Sequence, residues 1–302
     1  MAVVSRREFA ALAAAAAGAP FASVTELLAA TITAQEVIER IKKNIGVEWK
    51  PDSVDAIKAG DPSTVATGIV TTSMATMAVL RQAVKTRANI VITAQPTFYS
   101  RADVPTPPAG RGANPVAAPP DTVFSGKNEF ITRNKLVVFR LSDHWRQRQP
   151  DPLAQGLAAA LGWSKYQAAG DPRRVDIPAT TLEALVGSVK NALRSRGGIR
   201  VEGDPRSSLR RIGLLPGTTP IQAAVAMLPS VDAIIAGEVR EWETVEYVRD
   251  KVFAGARKGL ILVGRVVSEE PGMNVCASWL KTFISEVPVQ HISAGDPYWR
   301  PV

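Results

Sequence analysis

Three kinds of side chain able to bind or react stand directly after predicted strands of this chain: an amide at Gln95, carboxylates at Glu238 and Glu269, and guanidinium groups at Arg146 and Arg265. In open α/β folds the strand ends face one crevice, where ligands bind, so residues placed there are candidates for one shared site. Carboxylates in such a crevice ligate metals or accept hydrogen bonds, whereas guanidinium groups hold anions and repel cations. His144, in Ser142-Asp143-His144-Trp145-Arg146, adds an imidazole. Its plainer reading is a packed histidine beside a tryptophan. His291 has no motif around it, and Cys276, the only cysteine, falls inside a predicted helix, so no nucleophilic triad can be assembled. The Gly213 to Thr219 stretch has glycines without the Lys-Ser/Thr of a phosphate loop and reads as a tight strand-to-helix turn.

Two similar units position these residues. Gly68-Ile69-Val70 is a β-branched run, Met74, Met77, Ala78, Leu80 and Val84 recur at helical spacing, and Asn89-Ile90-Val91-Ile92-Thr93 is a second strand ending at Ala94-Gln95-Pro96. The layout returns as Ile212-Gly213-Leu214-Leu215, a helix over 220–228, and a strand from Val231 to Glu238. Measured from the glycine of each first strand, Gln95 lies 27 residues on and Glu238 lies 25 on. The pattern predicts an α/β fold of two related lobes with mostly parallel or mixed sheets: 31–135, 136–302, and a site between them. Further strands are expected at 136–141 and 259–263, and helices at 153–161, 182–194, 242–252 and 273–285. Thr33-Ala34-Gln35-Glu36 is a capping-box pattern before a first amphipathic helix. Within the first lobe, 101–121 carries six prolines and two glycines and predicts a long loop that acts as a linker, a flap over the site or an arm on a neighbouring subunit.

At 302 residues, 46% hydrophobic and 21% charged, the chain has the composition of a globular protein with a large core. Its net charge of +8 favours anions without specifying one. No aromatic-interleaved basic stripe or zinc-finger spacing points to nucleic acid. Ser5-Arg6-Arg7-Glu8-Phe9 precedes an alanine-rich run too short for a stable membrane span, and residues 1–30 resemble a twin-arginine export signal, which implies a periplasmic protein. A single cysteine forbids an intramolecular disulfide and suits a chain exported after folding.

These landmarks, in this order at 68–99, 136–163, 231–242 and 259–273, resemble the NIF-three-like family, also described as GTP cyclohydrolase 1 type 2 homologues. The resemblance implies two α/β lobes, a dinuclear metal site between them and a homohexameric toroid. It also exposes a departure. Where the family has His-His-Pro or His-Glu-Pro, this chain has Ala94-Gln95-Pro96; where it has Gly-His and Ser-Glu, this chain has Gly264-Arg265 and Ser268-Glu269. An ungapped register puts family ligands at Ser142 and Arg146, and a two-residue gap puts one at His144. Glu238 matches a family glutamate in a supporting role. Two readings follow. One is a binding or scaffold protein with a degenerate metal site and no cofactor, whose cleft of Gln95, Arg146, Glu238, Arg265 and Glu269 accepts an anionic small molecule. The other, which the gapped register implies, is a metal-dependent hydrolase using one remnant zinc, manganese or iron ion on His144 and Glu269 with Asp143 or Asp151.

Overall fold

The computed structural model describes residues 31–101, 103–104, 122–194 and 198–298. Residues 1–30, where an export signal is expected, and most of the proline-rich stretch, 105–121, lie outside the described residues.

The first sheet forms because three short apolar runs are buried on both faces. After α1 (Ala34–Asn44) and β1 (Ile57–Ala59) come β2 (Ile69–Thr72), α2 (Met77–Lys85), β3 (Ile90–Thr93), α3 (Thr122–Arg133) and β4 (Val137–Arg140). Strands β2, β3 and β4 are parallel, with Ile69 opposite Ile90 and Ile90 opposite Val137. Alternation sends Ile69, Ile90 and Val137 to one face, against α1, and Val70, Val91 and Val138 to the other, against α2 and α3. Thr33 and Glu36 make the expected capping box at the start of α1.

The second sheet follows α4 (Asp143–Gln147) and α5 (Pro152–Ala160). It contains β5 (Gln167–Ala168), β6 (Asp171–Thr181), β7 (Arg200–Glu202), β8 (Ser208–Thr218), β9 (Ala233–Glu238) and β10 (Gly259–Leu262), with α6 (Leu182–Ala192), α7 (Ile221–Met227) and α8 (Glu246–Phe253) between them. Its order is β5-β6-β8-β9-β10-β7. Strands β8, β9 and β10 are parallel, so both repeated units are the parallel pairs that the spacing predicts. Strand β4, which the division at 135/136 placed in the second lobe, pairs with β3 in the first sheet.

A helix joins the two halves. Helix α9 (Arg265–Leu280) packs against β2, β8, β9 and α5, and then the chain returns as β11 (Val289–His291), parallel to β2. The sequence pattern starts this helix at Met273 because Pro271 and Gly272 interrupt it; the helix instead runs through both residues and begins at Arg265. Pro271 has no N–H to give and Gly272 has no side chain, so tertiary contact outweighs local preference here. Three residues are too few to show a period, so β11 is visible only in the structure.

Close approach of α5 to α9 explains the glycines. A Cβ on Gly156 would lie 2.5 Å from Gly272 N, and one on Gly272 would lie 2.7 Å from Leu153 Cα. Gly156→Ala is expected to destabilise the fold by about 2 kcal/mol, within the range for overpacking a core. Urea unfolding measures it; an unchanged midpoint would mean that the two helices part at no cost.

Candidate functional site

Strands β3, β4, β8 and β9 end near the first turns of α9, and their terminal side chains meet there. Gln95 follows β3, with its N–H donating to Ser73 O at 2.9 Å. Its loop is set by Asp103, whose Oδ1 accepts from Thr97 N (2.6 Å) and Phe98 N (2.8 Å), and by Lys127, whose Nζ donates to Thr97 O at 2.6 Å. Burial pushes the Lys127 ammonium down to about 8, against the opposing pull of Asp103.

Glu269, on the second turn of α9, is fully buried. Gln95 Nε2 donates to both of its oxygens, at 2.9 and 2.7 Å, and Arg146 Nη2 donates to Oε1. With the amide nitrogen on the carboxylate, Gln95 Oε1 is left as an acceptor and takes Arg265 Nη2. Arg265 Nη1 stands 3.6 Å from Glu238 Oε1, which also accepts from Thr218 Oγ1 at 3.1 Å. All five residues singled out in the sequence, Gln95, Arg146, Glu238, Arg265 and Glu269, therefore lie in one hydrogen-bonded and ion-paired chain.

Three residues that the sequence analysis did not assign to the site make this possible. Gly217, next to the last residue of β8, has φ +82°, and a Cβ there would overlap Glu269 Oε1 and crowd the Arg146 guanidinium. Glycine thus answers both a left-handed backbone and the lack of room. Ser268 Oγ accepts from Gly217 N at 2.9 Å and donates to Arg265 O at 2.8 Å, tying β8 to α9. Asp55 accepts from the backbone N–H groups of Ser142, Asp143 and His144 at 2.6, 3.0 and 2.9 Å, and so fixes the start of α4, which carries Arg146.

His144 is a correction to the one-metal reading. It is fully buried, stacked on Trp49 with ring centroids 3.8 Å apart. Its Nε2 accepts from Lys50 N at 2.8 Å, which puts the proton on Nδ1, 2.7 Å from Asp55 Oδ2. Neither nitrogen keeps a lone pair for an ion, and the imidazole instead braces Asp55. The other proposed carboxylates are also engaged: Asp143 Oδ2 accepts from Val54 N, while Asp151 caps α5 and pairs with Arg173.

Beside the chain of charges, a cavity of about 600 Å³ opens over the first turn of α9 and the ends of β9 and β10, with Arg265 and Glu238 in its wall. Gly264, the residue before α9, has φ +95° and offers no side-chain cap to the helix.

No protein-family model and no curated protein matches the chain. Solved structures do. Staphylococcus aureus protein SA1388 superposes with a TM-score of 0.65 at 12% identity, over 90% of this chain and 99% of that one. A Bacillus cereus protein related to NIF3 also gives a TM-score of 0.65 at 12% identity, with 90% and 99% covered. The chain has the NIF3-like fold. The protein ybgI, of unknown function, gives 0.62 at 18% identity over 88% of this chain and 100% of that one. Such identities speak for architecture and leave the chemistry of the site to its own residues.

Those residues do not fit the dinuclear centre that the NIF-three-like resemblance implies. Ala94 offers no donor, Arg146 and Arg265 bring positive charge, and the Glu269 carboxylate is already met by three donor bonds. Among the described residues, no group of three or more His, Cys, Asp and Glu side chains is placed to hold an ion.

Glu269→Ala is expected to cost about 2–4 kcal/mol, because it strands Arg146 and the Gln95 amide in a largely dry site. Arg146 is 31% exposed, which keeps the loss below that of a fully buried pair. In a double-mutant cycle of Arg146→Ala, Glu269→Ala and the double variant, read by urea unfolding, at least half of that cost should appear as coupling energy. A coupling energy near zero would show that the pair does not hold the site.

Proposed function

We propose that this protein binds an anionic small molecule, with a guanidinium and carboxylate network standing where the resemblance puts two metal ions. The observation that carries the reading is Arg265. Its side chain stands in the wall of the cavity, its Nη atoms face Gln95 and Glu238, and its Nε–H is buried with no acceptor among the described residues. A buried donor without a partner calls for one. Arg146 is matched by Glu269, whereas Glu238 is 49% exposed and too far from Arg265 for a close hydrogen bond, so water screens that pair. The uncapped first turn of a 16-residue helix adds N–H groups and the positive end of its dipole to the same place.

A metal-dependent hydrolase on this scaffold is the competing reading. It needs donors at His144 and Glu269 that are committed elsewhere.

Export to the periplasm belongs to the proposal and rests on Arg6-Arg7 and the apolar run behind them. No helix among the described residues is long and apolar enough to cross a membrane. Replacing both arginines by lysine should retain the protein in the cytoplasm on cell fractionation; unchanged location would remove the signal. Homo-oligomeric assembly, a hexamer by resemblance, is tested by light scattering on the purified protein.

Protein purified without a metal-bearing tag should carry far less than one zinc, manganese or iron per chain by elemental analysis, and Glu269→Ala should not change that. Two ions per chain that depend on Glu269 would return the protein to the hydrolases. Inorganic phosphate should bind in calorimetry, with Arg265→Gln weakening it at least tenfold.

A further inference from the structure

We infer that the ligand is an apolar α-amino acid: a carboxylate that meets Arg265, an ammonium beside it that meets Glu238, and an apolar side chain. This rests on the anion-binding reading, in which Arg265 receives a negative group, and specifies what that group is joined to.

The open atoms of two neighbouring side chains give the first argument. Arg265 Nε is buried and Nη2 donates to Gln95 Oε1, which leaves Nη1 as the donor that a ligand can reach. Nη1 makes no hydrogen bond among the described residues, and Glu238 Oε1, its ion-pair partner, stands 3.6 Å away. Glu238 Oε1 accepts from Thr218 Oγ1 at 3.1 Å, whereas Oε2 meets no donor among the described residues. The two side chains are 32% and 49% exposed and share the wall of the cavity. One unfilled donor thus stands next to one unfilled acceptor, each side chain held from behind, Arg265 by Gln95 and Glu238 by Thr218.

Charge gives the second. An anion at Nη1 comes to lie against the Glu238 carboxylate, and like charges at that range repel. An ammonium attached to the anion turns the repulsion into a second ion pair. In an α-amino acid one carbon joins the two groups, which sets their charges side by side, as those of Arg265 and Glu238 are. The other charged residues of the wall are engaged: Arg200 is paired with Glu241, and Asp296 Oδ1 accepts from Tyr298 N at 3.0 Å.

Room gives the third. The cavity of about 600 Å³ has the size of a small-molecule site, and Met74, Ile199, Leu262 and Val266 line it beside the charged pair. An apolar side chain covers such a wall, whereas a polar one gives up water there for no partner.

The probes are L-leucine, 4-methylpentanoate, which is leucine without its ammonium, and 3-methylbutylamine, which is leucine without its carboxylate. Each is titrated by calorimetry into the full chain at neutral pH. Leucine should bind at least tenfold more tightly than 4-methylpentanoate, and the amine should show no measurable binding. Glu238→Gln should erase that preference, weakening leucine and tightening 4-methylpentanoate; Arg265→Gln should weaken both. Equal affinity for leucine and 4-methylpentanoate would overturn the amino acid and leave the anion reading standing. Binding of none of the three would also overturn the amino acid, and the anion reading then stands or falls with inorganic phosphate. The amine binding as tightly as leucine would overturn both readings. A preference left intact in Glu238→Gln would overturn the ammonium contact.

Discussion

A carboxylate sealed from water must be met by donors, and the buried Glu269 imposes that demand on every element around it. Its charge is matched by one guanidinium and one amide, each delivered from a different strand end. Arg146 has to arrive from α4, Gln95 from the end of β3, and Gly217 has to leave space for both. The two sheets are thus held in register at the site by polar contacts as well as by the apolar packing of α9. A buried ion pair of this kind is weak evidence for stability, since apolar residues of equal volume often serve as well. What it supplies here is placement.

The supports of that network are themselves braced. Asp55 gathers the first N–H groups of α4, and His144 holds Asp55 through Nδ1 while its Nε2 takes a backbone N–H. Histidine is thereby used for its two-sided hydrogen bonding and its flat face against Trp49, with no lone pair left to give. Ser268 does similar work between β8 and α9. Such layered support keeps a binding geometry within tolerance.

Replacing cations by guanidinium groups changes what a site can do. A metal ion polarises a bound water and exchanges ligands, whereas arginine keeps its charge and offers directed N–H donors. The proposed outcome is recognition of an anion in place of hydrolysis, on a scaffold of two parallel units and a joining helix. The cavity beside Arg265 is lined by apolar as well as charged residues.

The parallel units are legible in the amino-acid pattern alone. Short runs such as Ile90-Val91-Ile92 and Ile212-Gly213-Leu214-Leu215, spaced by helical patterns, carry their burial in their composition, because alternate residues must face two apolar layers. It also marked the five side chains of the network, since residues after strands of one direction share one edge of a sheet. Only the tertiary structure decided the start of α9, where packing against Leu153 and Gly156 carries the helix through Pro271 and Gly272. It likewise decided the return of β11 to the first sheet and the role of His144. The partners concerned, Asp55 and His144 or Ser73 and Glu270, are far apart along the chain, and no local period records a contact that long-range folding alone creates.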